Sequence, residues 1–285
     1  MKISIIIPTI GRSTLKSVLQ SICNMRDYST QNVEVIIIGD GNFSRNELLG
    51  DKNFAEFSFF STGKNMGAAS ARNLGLEKAT GDIIAFIGDD TILDKLWLIE
   101  TIRFHGENPA KNYALLGKIE WVSRFKNDPF YKWLNNYAQF SYRKIRLHGA
   151  KWNHFYTSNV SLKREFIGSE RFSAKFSGWG FEDSEFSYRL YKKGMNLVYY
   201  PDVIVYHDHK QTIDDVVRNF QNARKNALIF EKLHPEIHLL PRGKKLKTLK
   251  RLIKIAKFFA PLIPQAEWWY KWKEAWIKNS SFDSQ

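Results

Sequence analysis

The strongest constraint on the fold is a set of short, continuous and largely apolar runs in the first hundred residues, interrupted only by Ser4 and Glu34: Ile3 to Ile7, Val33 to Ile38 and Ile83 to Ile87. A strand with one wet face alternates apolar and polar side chains, whereas a run that is apolar throughout has both faces covered. Between these runs the period changes. Leu15, Val18, Leu19 and Ile22 recur at helical spacing behind Ser13, which is able to act as an N-cap. Phe57 to Phe60 reads as a further strand, and Ala68 to Ala79 as a small-residue helix ended by Gly81. The alternation predicts an α/β fold with a mostly parallel sheet and helices on both faces.

Ligands of such sheets collect beyond the carboxyl ends of the strands. Pro8-Thr9, Gly39-Asp40 and Gly88-Asp89-Asp90 stand at those ends. Adjacent carboxylates repel unless a cation or hydrogen-bond donors compensate, and Mg²⁺ and Mn²⁺ are ions that bridge carboxylates to phosphate oxygens. For an isolated Asp-Asp pair an acidic turn is the better reading. Further along, Gly178-Trp179-Gly180-Phe181-Glu182-Asp183 puts a Trp between glycines and two acids at the start of a helix running to Lys193. An acid there is kept ionised by the helix dipole, which suits a general base and also suits a simple cap. Leu197 to Val205 reads as two short strands around Pro201, and His207-Asp208-His209 follows. Strand alternation sends both histidines to one side, where one or both complete an oxygen–nitrogen metal site. A long helix is expected over Ile213 to Leu233, with Pro235 and Pro241 marking a linker.

Charge separates the C-terminal part from the rest. The net charge is +14, which calls for an anionic partner. No acid occurs between Glu236 and Glu267, while Arg242, Lys244, Lys245, Lys247, Lys250, Arg251, Lys254 and Lys257 do. A nucleic-acid groove spreads its cations along a face, so this clustering argues against nucleic acid. Leu246, Leu249, Ile253, Ala256 and Ala260 form an apolar stripe opposite the lysines, and Trp268, Trp269, Tyr270, Trp272 and Trp276 follow Pro261 and Pro264. A basic amphipathic helix followed by Trp and Tyr suits the surface of an anionic membrane. The same stripe could instead pack on the catalytic domain. The single Cys23 excludes an internal disulfide and fits a reducing compartment. Pro8 ends the first apolar run too early for a secretory leader, and no run approaches the ~20 apolar residues of a bilayer span. A cytoplasmic protein, peripheral on the membrane's cytoplasmic face, is the expectation; no oligomeric state is implied.

An ordered series of motifs carries a resemblance. Ile5-Ile6-Ile7-Pro8-Thr9, Gly39-Asp40-Gly41-Asn42, Asn65-Met66-Gly67-Ala68-Ala69-Ser70-Ala71-Arg72-Asn73 and Ala85-Phe86-Ile87-Gly88-Asp89-Asp90 resemble the first half of family 2 glycosyltransferases with the GT-A fold. Thr157-Ser158-Asn159-Val160-Ser161, Gly178 to Asp183, Arg189-Leu190 and His207 look like that family's acceptor-side motifs, and the Gly-Trp-Gly-x-Glu-Asp string is similar to that of beta-1,4-galactosyltransferases. The resemblance implies a GT-A sheet with a helical C-terminal extension: residues 1–105 as the nucleotide-sugar half, 106–233 as the acceptor half and 234–285 as a basic tail. It implies an inverting transferase taking a UDP-sugar to a glycan or lipid-linked acceptor in surface polysaccharide synthesis. Pro8, Thr9, Arg12, Asp40, Arg72 and Asp89 would line the donor site, with Asp40 on the base. Asp90 and His207 would hold Mn²⁺ or Mg²⁺, Asp183 would be the general base, and Trp179 and Glu182 would meet the acceptor. The chain departs from the pattern at Gly39 and Gly88, where the family often carries acids. A nucleotidyltransferase would need a longer Gly-rich loop than Pro8 to Arg12, and a dinucleotide oxidoreductase a G-x-G-x-x-G motif after the first strand. The remaining alternative is a basic membrane- or nucleic-acid-binding protein with a degenerate GT-A domain.

Overall fold

The computed structural model describes residues 1–28, 32–50 and 54–277. The chain divides into two compact units, one of residues 1–174 and 183–209, the other of residues 175–182 and 210–285. Residues 1–105 and 106–209 do not separate because strands from both complete one sheet, and Ile213–Leu233 groups with the basic tail rather than with the acceptor half.

The first unit is built on eight strands: β1 Ile3–Thr9, β2 Val33–Gly39, β3 Ser58–Ser61, β4 Ile83–Ile87, β5 Thr91–Leu93, β6 Tyr113–Trp121, β7 Asn159–Lys163 and β8 Asn196–His207. Their order is β3-β2-β1-β4-β7-β6-β8-β5. The first four are mutually parallel, as the apolar runs predict, and β1, β2 and β4 are buried almost throughout. Beyond β4 the sheet is mixed: β7 is antiparallel to both β4 and β6, β6 and β8 are parallel, and β5 is antiparallel to β8. The helix Leu15–Cys23 buries the predicted Leu15, Val18, Leu19 and Ile22. Its N-cap is Thr14, not Ser13, and the Thr14 hydroxyl donates to the Asp89 carbonyl instead of capping.

Residues 196–207 form one strand, not the expected pair. Tyr200 pairs with Gly117 and Ile204 with Lys118, so Pro201, Asp202 and Val203 bulge out of the β6 ladder. A bulge tolerates the missing N–H of proline. Asn159 fills the gap: its Nδ2 donates to Lys118 and Val203 carbonyls, both at 3.0 Å, while its Oδ1 accepts from Trp97 Nε1 at 2.9 Å. A resemblance motif thus contains a residue that braces the sheet. A Cβ on Gly117 would lie 2.2 Å from Asn159 Nδ2 and 2.6 Å from the Val203 carbonyl oxygen. Gly117→Ala is therefore expected to cost about 1–3 kcal/mol, the scale of overpacking. Urea unfolding of the variant measures this, and an unchanged midpoint would contradict it.

The second unit contains the helices Ile213–Leu233, Gly243–Phe259 and Pro264–Ile277. Thr212 and Asp215 form a capping box at the start of the first. Near its end, Glu231 accepts from the Leu239 and Leu240 amides at 2.7 and 2.9 Å and pairs with Arg242 at 2.5 Å, which staples the connection onward. Gly243–Phe259 packs along Pro264–Ile277. Ile253 of the predicted apolar stripe is buried, and Leu246, Leu249, Ala256 and Ala260 are half-buried, so that stripe is spent inside the unit. Among the described residues no helix is long and apolar enough to cross a membrane.

Candidate active site

The carboxyl end of β4 carries Gly88, Asp89 and Asp90, and the chain then turns into the three residues of β5. β5 pairs antiparallel with the end of β8, Thr91 opposite His207, and the Asp208 amide donates to the Asp90 carbonyl at 2.7 Å. That short ladder brings two distant sequence motifs together. Asp90 Oδ2 lies 3.3 Å from His207 Nε2 and 4.0 Å from His209 Nδ1. The His207 ring is held by aromatics, its centroid 4.6 Å from Trp121 and 6.2 Å from Phe140. Its Nδ1 has no hydrogen-bond partner among the described residues, so packing rather than a second hydrogen bond fixes the ring.

Arg12, from the loop after β1, spans both acids. Its Nε is 3.3 Å from Asp89 Oδ1, and its Nη1 is 3.5 Å from Asp90 Oδ2 and 3.0 Å from His209 Nδ1. Thr9 completes the arrangement by donating to Asp89 Oδ2 at 2.7 Å. Burial, and after it the adjacent Asp90 charge, pushes the Asp89 carboxyl up to about 6, against the pull of Thr9 and Arg12. Burial presses on Asp90 as well, but His207, Arg12 and His209 outweigh it and hold that carboxyl down at about 2. One member of the pair therefore keeps its charge most firmly, and it is the one facing the imidazoles.

These groups suit a divalent ion. A cation about 2.1 Å from each of two ligands spans separations like those between Asp90 and the histidines. Among the described residues no three acidic, His or Cys side chains form a metal cluster. Two protein ligands match an ion that takes the rest from water and a diphosphate, as Mg²⁺ commonly does.

Asp40 has a structural duty that the sequence does not announce. Its Oδ1 accepts from the Met66 amide at 2.7 Å and its Oδ2 from Gly67 at 2.9 Å, at the start of the helix Ala68–Lys78. The departures from the family pattern also have steric reasons. A Cβ on Gly39 would approach Phe43 and Phe59 to 3.2 and 3.3 Å, and one on Gly88 would come within 2.9 Å of Asp90 Oδ1. Pro8 lies within β1, and Arg72 stacks over Phe172 at 5.5 Å. Arg189 of the motif series is taken up by Glu170 and Glu185, a structural role.

Asp183 is the second residue of the helix Glu182–Lys192, and its Oδ1 accepts from the Ser184 amide at 2.7 Å. Burial pushes the Tyr156 hydroxyl up, with the Asp183 charge adding to it, and the Tyr156 ring is 5.0 Å from Phe140, itself a neighbour of His207. Trp179 and Glu182 group with the second unit. There the Trp179 ring lies 5.5 Å from Phe220, and Asn226 Nδ2 donates to the Ser177 and Gly180 carbonyls at 3.0 and 2.8 Å. Gly178, Gly180 and Phe181 all have positive φ, at Phe181 a strained value of 74° for a side chain of its size.

The model of glycosyl transferase family 2 matches residues 4–168. Over 172 residues the chain is 27% identical to a glucosyl-dolichyl phosphate glucuronosyltransferase of Haloferax volcanii, covering 58% of this chain and 53% of that protein. It is 24% identical over 225 residues to a chondroitin synthase of Pasteurella multocida, covering 67% of this chain and 23% of the synthase. The chain thus spans about half or less of the length of these relatives. Among solved structures, a mannosyltransferase from Pyrobaculum calidifontis, in complex with GDP-Man and Mn²⁺, superposes with a TM-score of 0.61 at 15% identity, covering 96% of this chain and 84% of that one. Residues 1–349 of TarS from S. aureus give 0.57 at 15% identity, covering 97% and 89%. At that identity the likeness is one of fold, and the fold is of the GT-A type.

Proposed function

This chain belongs to glycosyl transferase family 2, and from that membership we propose that it moves a sugar from a nucleoside-diphosphate sugar onto an acceptor hydroxyl with inversion. The observation that carries the reading is the convergence of Asp89, Asp90, Arg12 and His207 at the carboxyl end of β4. Asp90 and His207 would hold Mn²⁺ or Mg²⁺, which when bound supplies Lewis-acid stabilisation to the departing diphosphate. Arg12 contributes a fixed positive charge beside the same phosphates, with Thr9 orienting Asp89. Asp40 Oδ1 accepts from the Met66 amide and lies within reach of the Thr62 hydroxyl, while Oδ2 accepts from Gly67 alone and has a lone pair left for the N–H of a uracil ring. That favours a UDP-sugar donor, with Pro8 and Arg72 beside the nucleotide.

On the acceptor side, Asp183 takes the hydroxyl proton as the new C–O bond forms at the anomeric carbon and the sugar–phosphate bond breaks. The negative charge leaves on the nucleoside diphosphate. One base and no carboxylate nucleophile gives a single displacement, hence inversion. Trp179 and Glu182 of the galactosyltransferase-like string would meet the acceptor, a glycan or lipid-linked hydroxyl of surface polysaccharide synthesis. A thermal-shift screen of nucleotide sugars with and without Mn²⁺ tests the donor, since ligand binding to the folded state raises Tm. UDP-sugars are expected to give the largest shift. A larger shift with GDP-sugars would overturn the base assignment, and no response to any nucleotide sugar would overturn the transferase reading.

A further inference from the structure

Large apolar side chains are unevenly exposed in this molecule. Among the described residues thirteen are exposed, and six of them fall between Leu252 and Ile263: Leu252, Ile255, Phe258, Phe259, Leu262 and Ile263. Phe258 and Leu262 are 78% and 80% exposed. Leu252, Ile255 and Phe259 lie at helical spacing on one line, Phe258 is beside them, and Leu262 and Ile263 continue the patch where the chain turns into Pro264–Ile277. This face is distinct from the stripe around Ile253, which already holds Gly243–Phe259 to its neighbour. Packing within the unit therefore leaves it uncovered.

Its surroundings are cationic. Lys244, Lys247, Lys250, Arg251 and Lys254 are all exposed, and among the described residues none is paired with an acid. Lys257 is the exception, bound to Glu274 at 2.7 Å. A cluster of exposed apolar side chains rimmed by charge marks an interaction surface. We propose that this corner docks on an anionic lipid surface, with Phe258, Phe259, Leu262 and Ile263 entering the headgroup region and the cations binding lipid phosphates. The charge decides between occupants. In a two-fold contact between copies the same patch meets itself, which would set these cations against one another. A nucleic acid would use the cations and leave the aliphatic side chains in water.

The docking does not depend on the glycosyl-transfer reading and is measured without substrate. Full-length protein is floated with phosphatidylcholine vesicles and with vesicles containing 30% phosphatidylglycerol, the second being expected to bind it. Two exposed-residue variants follow, Phe258→Ser/Leu262→Ser and Lys247→Glu/Arg251→Glu/Lys254→Glu, each checked for fold by circular dichroism. Each is expected to weaken binding to anionic vesicles by about tenfold or more, the scale of losing several surface contacts. Salt should weaken wild-type binding. Unchanged flotation of either variant would overturn the proposal. So would a lipid-free dimer in sedimentation velocity that Phe258→Ser/Leu262→Ser converts to monomer, or RNA binding lost in the charge variant alone with no flotation of the wild type.

Discussion

Replacing Asp183 by Asn is expected to leave the fold and donor affinity intact while lowering turnover by about 10² to 10⁴, the range for loss of a general base. The expectation rests on chemistry and position together. Asn keeps the shape and can still accept from the Ser184 amide, so the start of the helix Glu182–Lys192 is preserved. What it loses is the capacity to accept a proton from the acceptor hydroxyl. The effect therefore belongs in kcat, with donor Kd unchanged. Product formation under saturating donor, beside calorimetry of nucleotide binding, separates the two quantities. Turnover near wild type with unaltered donor affinity would remove Asp183 from the chemistry.

The second large effect is expected at the other end of the reaction. Asp90→Ala should abolish stimulation by Mn²⁺ and His207→Ala should weaken it, with transfer by Asp90→Ala reduced by about 10² or more, as loss of charge stabilisation on a leaving group does. Asp90→Ala should be the more severe. It takes away the carboxylate that Arg12, His207 and His209 all face, leaving the Arg12 guanidinium with Asp89 alone and the imidazoles with no carboxylate beside them to complete an ion site. His207→Ala removes one nitrogen and leaves His209 within reach of Asp90, so part of the metal response should survive. A metal titration of activity for both variants measures this. Full wild-type activity in EDTA would exclude the ion from the mechanism.

Much of the first half of the fold was legible because β1, β2 and β4 are buried on both faces and their sequences are apolar at nearly every position, Ser4, Thr9 and Glu34 being the exceptions. The later strands gave weaker signals. β5 is three residues long, too short for any periodicity, yet its pairing with β8 is what joins Asp90 to His207. β8 looked like two strands because Pro201 breaks the ladder pattern, and only its non-local partner β6 reveals a bulge. Arg12 could be assigned to a donor pocket by resemblance, but its bridging of both acids and His209 depends on non-local contacts, the one to His209 spanning 197 residues of sequence. In the tail, the stripe around Ile253 was found by its spacing. The second face, with Leu252, Ile255 and Phe258, was missed because interspersed lysines made it look polar, whereas its exposure depends on which face the neighbouring helix covers.

The bulge at Pro201 to Val203 also sets where this chain can gain or lose residues. Side chains on a strand alternate faces, so one inserted residue reverses every side chain beyond it unless something absorbs the change. Pro201, Asp202 and Val203 already have no partners on β6, and a length change there can be taken up as a larger or smaller bulge, leaving Ile204 against Lys118. Past Ile204 there is no such slack. From there to His207 each residue is paired on the β6 side, and Val205 to His207 are also paired with β5. An insertion in that stretch would turn the imidazole away from Asp90 without altering a single residue of the site. Homologous chains should therefore vary in length before position 204 and keep the count from 204 to 207 fixed.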